Sequence, residues 1–217
     1  MKKKSKTYFV ISVVLFSLFV LLSLLLTCFD VKAIGPENSE LGFAGINAFL
    51  FRQIGVHPIW YSITDWLGII PILFALGFTL LGLVQLLKRK SIRKVDKSIL
   101  ALGLLYFLVI VFYLFFEHAV VNYRPVILEA GLEASYPSSH TLIVVCIMIS
   151  SALEFHTLCP SRKKLCLGID ILSCLLVAVT VIGRLLSGVH WFTDIIGGLL
   201  LSAALLMLYY AIIEKQT

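Results

Sequence analysis

Six apolar runs, drawn at about 8–29, 60–87, 98–121, 139–156, 166–186 and 191–213, constrain this chain more than any other feature. Each is close to the roughly 20 residues that an α-helix needs to cross a hydrocarbon core. A spanning helix also satisfies its own backbone polar groups where no water can do so. A water-soluble domain of 217 residues could not cover such runs, since 60% of the residues are hydrophobic and only 14% are charged, against about a quarter in an ordinary globular chain. The expected fold is all-α, a polytopic membrane protein with a six-transmembrane-helix bundle, and 1–217 forms one membrane-embedded domain. The run at 8–29 is longer than the roughly 7–15 residues of a signal-peptide core, so it reads as an uncleaved first helix. The second run is long enough to tilt or to begin in the interface, where Trp60, Tyr61 and Trp66 are well placed. The fourth begins after Pro137 and Ser138, a proline near the first turn and a serine able to cap free amides.

Basic residues set the orientation. Lys2, Lys3, Lys4 and Lys6 precede the first run, and Lys88, Arg89, Lys90, Arg93, Lys94 and Lys97 fill the second connection. Arg162, Lys163 and Lys164 lie in the fourth connection, and Lys215 follows the last run. With six spans, 14 of the 18 basic residues fall on one side, which places both termini in the cytoplasm. The net charge of +6 is therefore a topology signal and an attraction to anionic headgroups, and no nucleic-acid partner is expected. The bilayer itself and a membrane lipid are the expected partners, in the cell membrane. Cys28, Cys146, Cys159, Cys166 and Cys174 have no paired metal spacing and read as small apolar residues; no metal or other cofactor is expected.

The four remaining basic residues, Lys32, Arg52, Arg124 and Arg184, fall on the other side. Two of them belong to short segments rich in reactive groups: Tyr123-Arg124-Pro125, Tyr136-Pro137-Ser138-Ser139-His140, and the stretch from Arg184 through His190 to Asp194. The helix count brings all three to the outer face. Their residue types suit phosphoryl transfer. Arg124 and Arg184 are permanently charged forks that bind phosphate oxygens in pairs. Ser138 and the free amides opening the fourth helix form a partial anion site. His190 and Asp194 are spaced i, i+4, so a carboxylate can orient an imidazole nucleophile, which leaves His140 as general acid. Each residue alone has a plain structural reading as anchor, cap or interface residue, but ionisable groups at membrane level are costly and gather at functional sites.

These residues resemble the type 2 phosphatidic acid phosphatase (PAP2) superfamily, whose pattern runs Lys-x6-Arg-Pro, Pro-Ser-Gly-His and Ser-Arg-x5-His-x3-Asp. Arg124 and Pro125 match the end of the first motif. Pro137, Ser138 and His140 match the second with Ser139 in place of glycine, and Arg184, His190 and Asp194 match the third with Gly183 in place of serine. The resemblance implies a metal-independent lipid phosphatase working through a phosphohistidine on His190, supported by Asp194, with His140 protonating the leaving group. Arg124, Arg184, Ser138 and the Ser139 amide would hold the phosphoryl oxygens. Undecaprenyl pyrophosphate is the first substrate it suggests, with phosphatidylglycerophosphate and phosphatidic acid next. A lipid phosphotransferase using the same site, or a binding or transport protein that keeps only the anion site, are the alternatives.

One position departs from the pattern. Seven residues before Arg124 stands Glu117 where the family has lysine. Glu117 could turn away and pair with an arginine, could meet a cation on or beside the substrate, or could mark lost activity. The first is favoured, because the other catalytic and binding positions are present. Asp65 reads as a helix-start interfacial acid, and Glu154 and Asp170 as partners of the basic loop at 162–164 or of cytoplasmic water.

Overall fold

The computed structural model describes residues 3–128 and 131–216. Its helices are α1 (Lys3–Leu26), α2 (Ala44–Ile54), α3 (Pro58–Leu67), α4 (Ile69–Arg89), α5 (Lys97–His118), α6 (Ser139–Leu158), α7 (Lys163–Leu186) and α8 (Phe192–Gln216). Among the described residues, six helical spans are long and apolar enough to cross a membrane, α3 and α4 together making the second. The span expected at 60–87 is present, interrupted only at Gly68, whose backbone stays in the right-handed helical region at φ −60° and ψ −18°. Pro71 has no N–H to offer the Leu67 carbonyl and its ring crowds that oxygen, so the ladder loses a bond at this point. Gly68 N donates to the carbonyls of Thr64 and Asp65, and the chain passes from α3 into α4.

Helices α6 and α8 form the centre, each with about 56% of its apolar window buried, while the α3–α4 span has only 11% and α1 17%. The outer helices turn their remaining apolar surface toward lipid. The core joins Phe19 and Leu26 of α1, Leu102, Leu105 and Val109 of α5, Leu142 and Cys146 of α6, and Leu201, Leu205 and Tyr209 of α8. The most extensive helix pair is α1 with α8. Polar groups tie these two helices together: Ser5 Oγ donates to the Ala211 carbonyl and Ser12 Oγ to the Ala204 carbonyl, both at 2.8 Å.

Among the acids expected to be plain, Glu154 is not beside the basic loop. Helix α6 continues to Leu158, so Glu154 remains inside it and is only 1% exposed. Its oxygens accept from Ser98 Oγ of α5 at 2.7 Å and from Tyr209 OH of α8 at 3.0 Å. Asp170 takes His156 as partner at 2.9 Å rather than the loop cations.

The segment before α3 forms a two-stranded hairpin, β1 (Lys32–Ala33) with β2 (Glu40–Leu41), followed by α2. The Asp30 carboxylate accepts the Gly45 N–H at the start of α2, and that bond, with Lys32 beside it, holds the acid below its usual range. Asn47 of α2 is buried and faces α8. Its Nδ2 donates to Thr193 Oγ1 at 3.0 Å and its Oδ1 accepts the Thr193 N–H at 3.2 Å, one of the amides an α-helix leaves open at its start.

Candidate active site

The site is built around the turn between α7 and α8. Arg184 lies in the last turn of α7, and Gly188 reverses the chain with φ of +73°. A side chain there would be strained and would meet Val56 at 2.8 Å, so glycine is required on both counts. His190 then precedes α8, and Asp194 lies in its first turn. Asp194 Oδ2 reaches back to accept the Trp191 N–H at 2.9 Å, as an acid does in a capping box. Its Oδ1 accepts from Asn122 Nδ2 at 3.0 Å. The acid is completely buried with these partners.

His190 Nδ1 lies 3.1 Å from the Ser135 carbonyl and 3.7 Å from Asp194 Oδ2. The first distance is a hydrogen bond and the second a charge contact. A carbonyl only accepts, so Nδ1 carries the proton and Nε2 keeps its lone pair. Nε2 is buried and has no hydrogen-bond partner among the described residues. Burial pushes the His190 imidazole below its ordinary proton affinity, Asp194 opposes this, and the charges of Arg124 and Arg184 add to it. A neutral ring with its lone pair uncommitted is the form a nucleophile requires.

Residues 122–124 and 133–135 pair as the arms of a hairpin between α5 and α6, which delivers Arg124. Ser135 N donates to the Asn122 carbonyl at 2.9 Å and Arg124 N to the Glu133 carbonyl at 3.0 Å. Arg124 Nε donates to Glu133 Oε2 at 2.8 Å, and Nη1 stands 3.5 Å from the Val189 carbonyl, beside His190. The acid that pairs with Arg124 is thus Glu133. Glu117, expected to turn away and take an arginine, does neither. It sits exposed at the end of α5, beside Tyr113, and lines a cavity of about 20 Å3 with Ser139, Tyr136 and His190. The reason is spacing: the hairpin brings its own acid to Arg124 before Glu117 can reach it.

Helix α6 begins over α8. Gly197 and Gly198 make this possible, since a Cβ on Gly197 would meet the Tyr136 ring at 2.4 Å and one on Gly198 the Ser138 carbonyl at 3.0 Å. Tyr136 cannot easily yield, being stacked on Phe19 and bonded through its hydroxyl to Ser23 at 2.9 Å. Ser138 N donates to the Asp194 carbonyl at 3.0 Å, which fixes the start of α6 to the first turn of α8. The Ser138 hydroxyl was expected to cap α6 but makes no cap bond; it accepts from Thr141 Oγ1 at 3.1 Å. Ser139 opens the helix and lines the same cavity as His190.

His140 lies within electrostatic reach of His190 and Arg184. Its Nε2 is 3.2 Å from Asp65 Oδ1, and the same oxygen is 3.3 Å from Arg184 Nη2. Asp65 is therefore in the last turn of α3 and in the site, not a helix-start residue. Arg184 is fully buried and lies 5.0 Å over the Tyr61 ring. Its Nε and Nη1 have no hydrogen-bond partner among the described residues. Gly183 beside it explains its departure from the family serine: a Cβ there would meet Thr64 Cγ2 at 2.5 Å and Trp60 at 3.0 Å, so α3 can seat on α7 only over glycine.

All of Arg124, Ser138, Ser139, His140, Arg184, His190 and Asp194 thus gather at one end of the bundle. Reading the sequence alone missed Asn122, Glu133 and Ser135, which orient the others, and Asp65. The break signalled by Gly68 and Pro71 could have marked α3 as a separate interfacial helix. The orienting carbonyl of Ser135 leaves no signal in residue type. The larger cavities, about 420 and 440 Å3, are apolar grooves on either side of α4, so volume does not mark this site.

Comparison with known proteins agrees with this fold. The chain resembles in fold the crystal structure of the first transmembrane PAP2 type phosphatidylglycerolphosphate phosphatase, from Bacillus subtilis, with a TM-score of 0.66 at 18% identity over 95% of this chain and 97% of that one. It is also 35% identical over 93 residues to lipid phosphate phosphatase delta of Arabidopsis thaliana, a match covering 40% of this chain and about a fifth (21%) of that relative's length. Residues 100–217, which carry every motif position, match the PAP2 superfamily model. The chain belongs to the PAP2 superfamily.

Proposed function

We propose that this protein is a lipid phosphatase that hydrolyses a lipid phosphate or pyrophosphate at the extracytoplasmic face of the cell membrane. The observation that carries the reading is the pairing of a fully buried Arg184, with two uncommitted donor nitrogens, and a buried His190 with an uncommitted Nε2. Burying an unmatched guanidinium costs several kcal/mol, and an oxyanion offers acceptors to match it. His190 Nε2 attacks phosphorus, the bond to the leaving oxygen breaks, and His140 gives that oxygen a proton. Water then cleaves the phosphohistidine, passing a proton to His140 and returning the lone pair to Nε2. Arg124, Arg184, Ser138 and the Ser139 amide bear the phosphoryl charge, and Asp194 steadies the ring. The side of the membrane follows from the basic connections, which lie at the opposite end of the bundle from the site.

Undecaprenyl pyrophosphate is the favoured substrate, followed by phosphatidylglycerophosphate and phosphatidic acid; the names of the two related proteins both speak for lipid phosphates. Phosphate release by the purified protein from these three lipids, with and without chelator, tests the proposal. Release is expected from at least one and is expected to survive the chelator. Binding without release would instead indicate a carrier, and transfer of label to a second lipid a phosphotransferase.

A pH dependence follows as well. Attack requires neutral His190, and burial lowers its pKa, so the neutral form persists further into acid. The acid limb of kcat/KM that reports His190 is expected below about pH 6.5, the unperturbed value. Asp194→Asn removes the carboxylate that opposes the shift, so it should move this limb still lower while reducing the rate. A limb that rises instead would contradict the assignment of His190 as the titrating base.

A further inference from the structure

Asp65 stands outside the family's three motifs, on the interfacial helix α3, yet one of its oxygens lies between two residues of the site. Three contacts fix α3 in that place. Trp60 and Thr64 close over Gly183, Tyr61 lies under the Arg184 guanidinium, and the position of a Gly68 Cβ is 3.6 Å from His140 Cδ2. The carboxylate decides which nitrogens stay free. With His140 Nε2 and Arg184 Nη2 engaged by Asp65, the nitrogens left are His140 Nδ1 and Arg184 Nε and Nη1, all buried and without hydrogen-bond partners among the described residues. Asp65 itself is more than half exposed, so it carries its charge at little desolvation cost.

Resting on the phosphatase reading above, we propose that Asp65 is a positioning residue that holds His140 as the general acid through Nε2, leaving Nδ1–H to protonate the leaving oxygen. As His190 Nε2 bonds to phosphorus, the phosphorus–oxygen bond to the lipid breaks. The electron pair goes to the departing oxygen, which takes the Nδ1 proton. His140 is left neutral with its Nε2–H still donated to Asp65, so the ring does not turn during the step.

The test exploits the fact that an acid matters only when the leaving group needs a proton. An alkoxide leaving from phosphatidic acid needs one, whereas p-nitrophenolate leaving from p-nitrophenyl phosphate does not. For Asp65→Asn, kcat on phosphatidic acid is expected to fall by about 100-fold, in the range general acids contribute. On p-nitrophenyl phosphate it should stay within about threefold. Asp65→Glu, which restores a carboxylate, should recover part of the loss on the lipid alone. Equal losses on both substrates, or a change confined to KM, would reduce Asp65 to an ion-pair partner of Arg184 and overturn the proposal. An unaltered thermal midpoint shows that the variants are folded. If the unsubstituted protein releases phosphate from neither p-nitrophenyl phosphate nor any of the three lipids named above, the phosphatase reading fails and this proposal with it. If it releases phosphate from both while the variant losses do not differ, only the role of Asp65 fails.

Discussion

Replacing His190 with alanine is expected to reduce phosphate release by about 10,000-fold or more, since loss of a covalent nucleophile leaves only binding and charge stabilisation. The substitution removes one buried hydrogen bond, to the Ser135 carbonyl, and leaves the Asn122–Asp194 and Trp191–Asp194 contacts in place. Thermal unfolding in detergent should therefore change little. A phosphohistidine survives alkali, so a denaturing alkaline quench during turnover of labelled substrate should leave label on the unsubstituted protein and none on His190→Ala. His140→Ala provides the contrast. It should still form the intermediate from a substrate with a good leaving group, because its loss removes the proton donor and not the attacking nitrogen. Label persisting in His190→Ala would move the nucleophile elsewhere.

Arg184→Met is expected to separate activity from stability. The activity loss should reach about 100- to 1,000-fold in kcat/KM, the effect of deleting a donor aimed at developing charge. Stability should move in the other direction or not at all. Removing one partner of a buried ion pair is normally destabilising because the other charge remains buried and unmatched. Here the remaining partner, Asp65, is 55% exposed and returns to water. Methionine fills much of the arginine's volume and needs no acceptors for the two nitrogens that now lack them. Without phosphate, the thermal midpoint should be equal or higher than that of the unsubstituted chain. With phosphate, the unsubstituted protein should gain midpoint by mass action and Arg184→Met should not. A large destabilisation unaffected by phosphate would make Arg184 a structural residue.

The helices were legible because their signal is cumulative: twenty apolar residues in a row admit few other folds in a bilayer. The convergence of Arg124, His140 and His190 was legible for the same reason, since an odd or even number of crossings assigns each connection to an end. What escaped was local. The separation of α3 from α4 depends on a single absent N–H at Pro71, a small perturbation in a long hydrophobic run. Glu133 competes with Glu117 for Arg124 only because residues 133–135 fold back on residues 122–124. Ser135 orients His190 through its backbone, which any residue type could offer. Glu154 already fell inside the run drawn at 139–156, and what escaped was the direction of its side chain, which Ser98 of α5 and Tyr209 of α8 set by donating to it.

The pairing of α1 with α8 bears on how the molecule is made. Helix α1 leaves the ribosome long before α8, its main neighbour, so Ser5 and Ser12 have no Ala211 or Ala204 carbonyl to meet until α8 has followed. The same later helix brings Asp194 and the two glycines that seat the start of α6. Insertion of α8 therefore closes the bundle and completes the reactive centre in one event, and a chain halted before α8 inserts carries arginines and histidines that have not yet become a site.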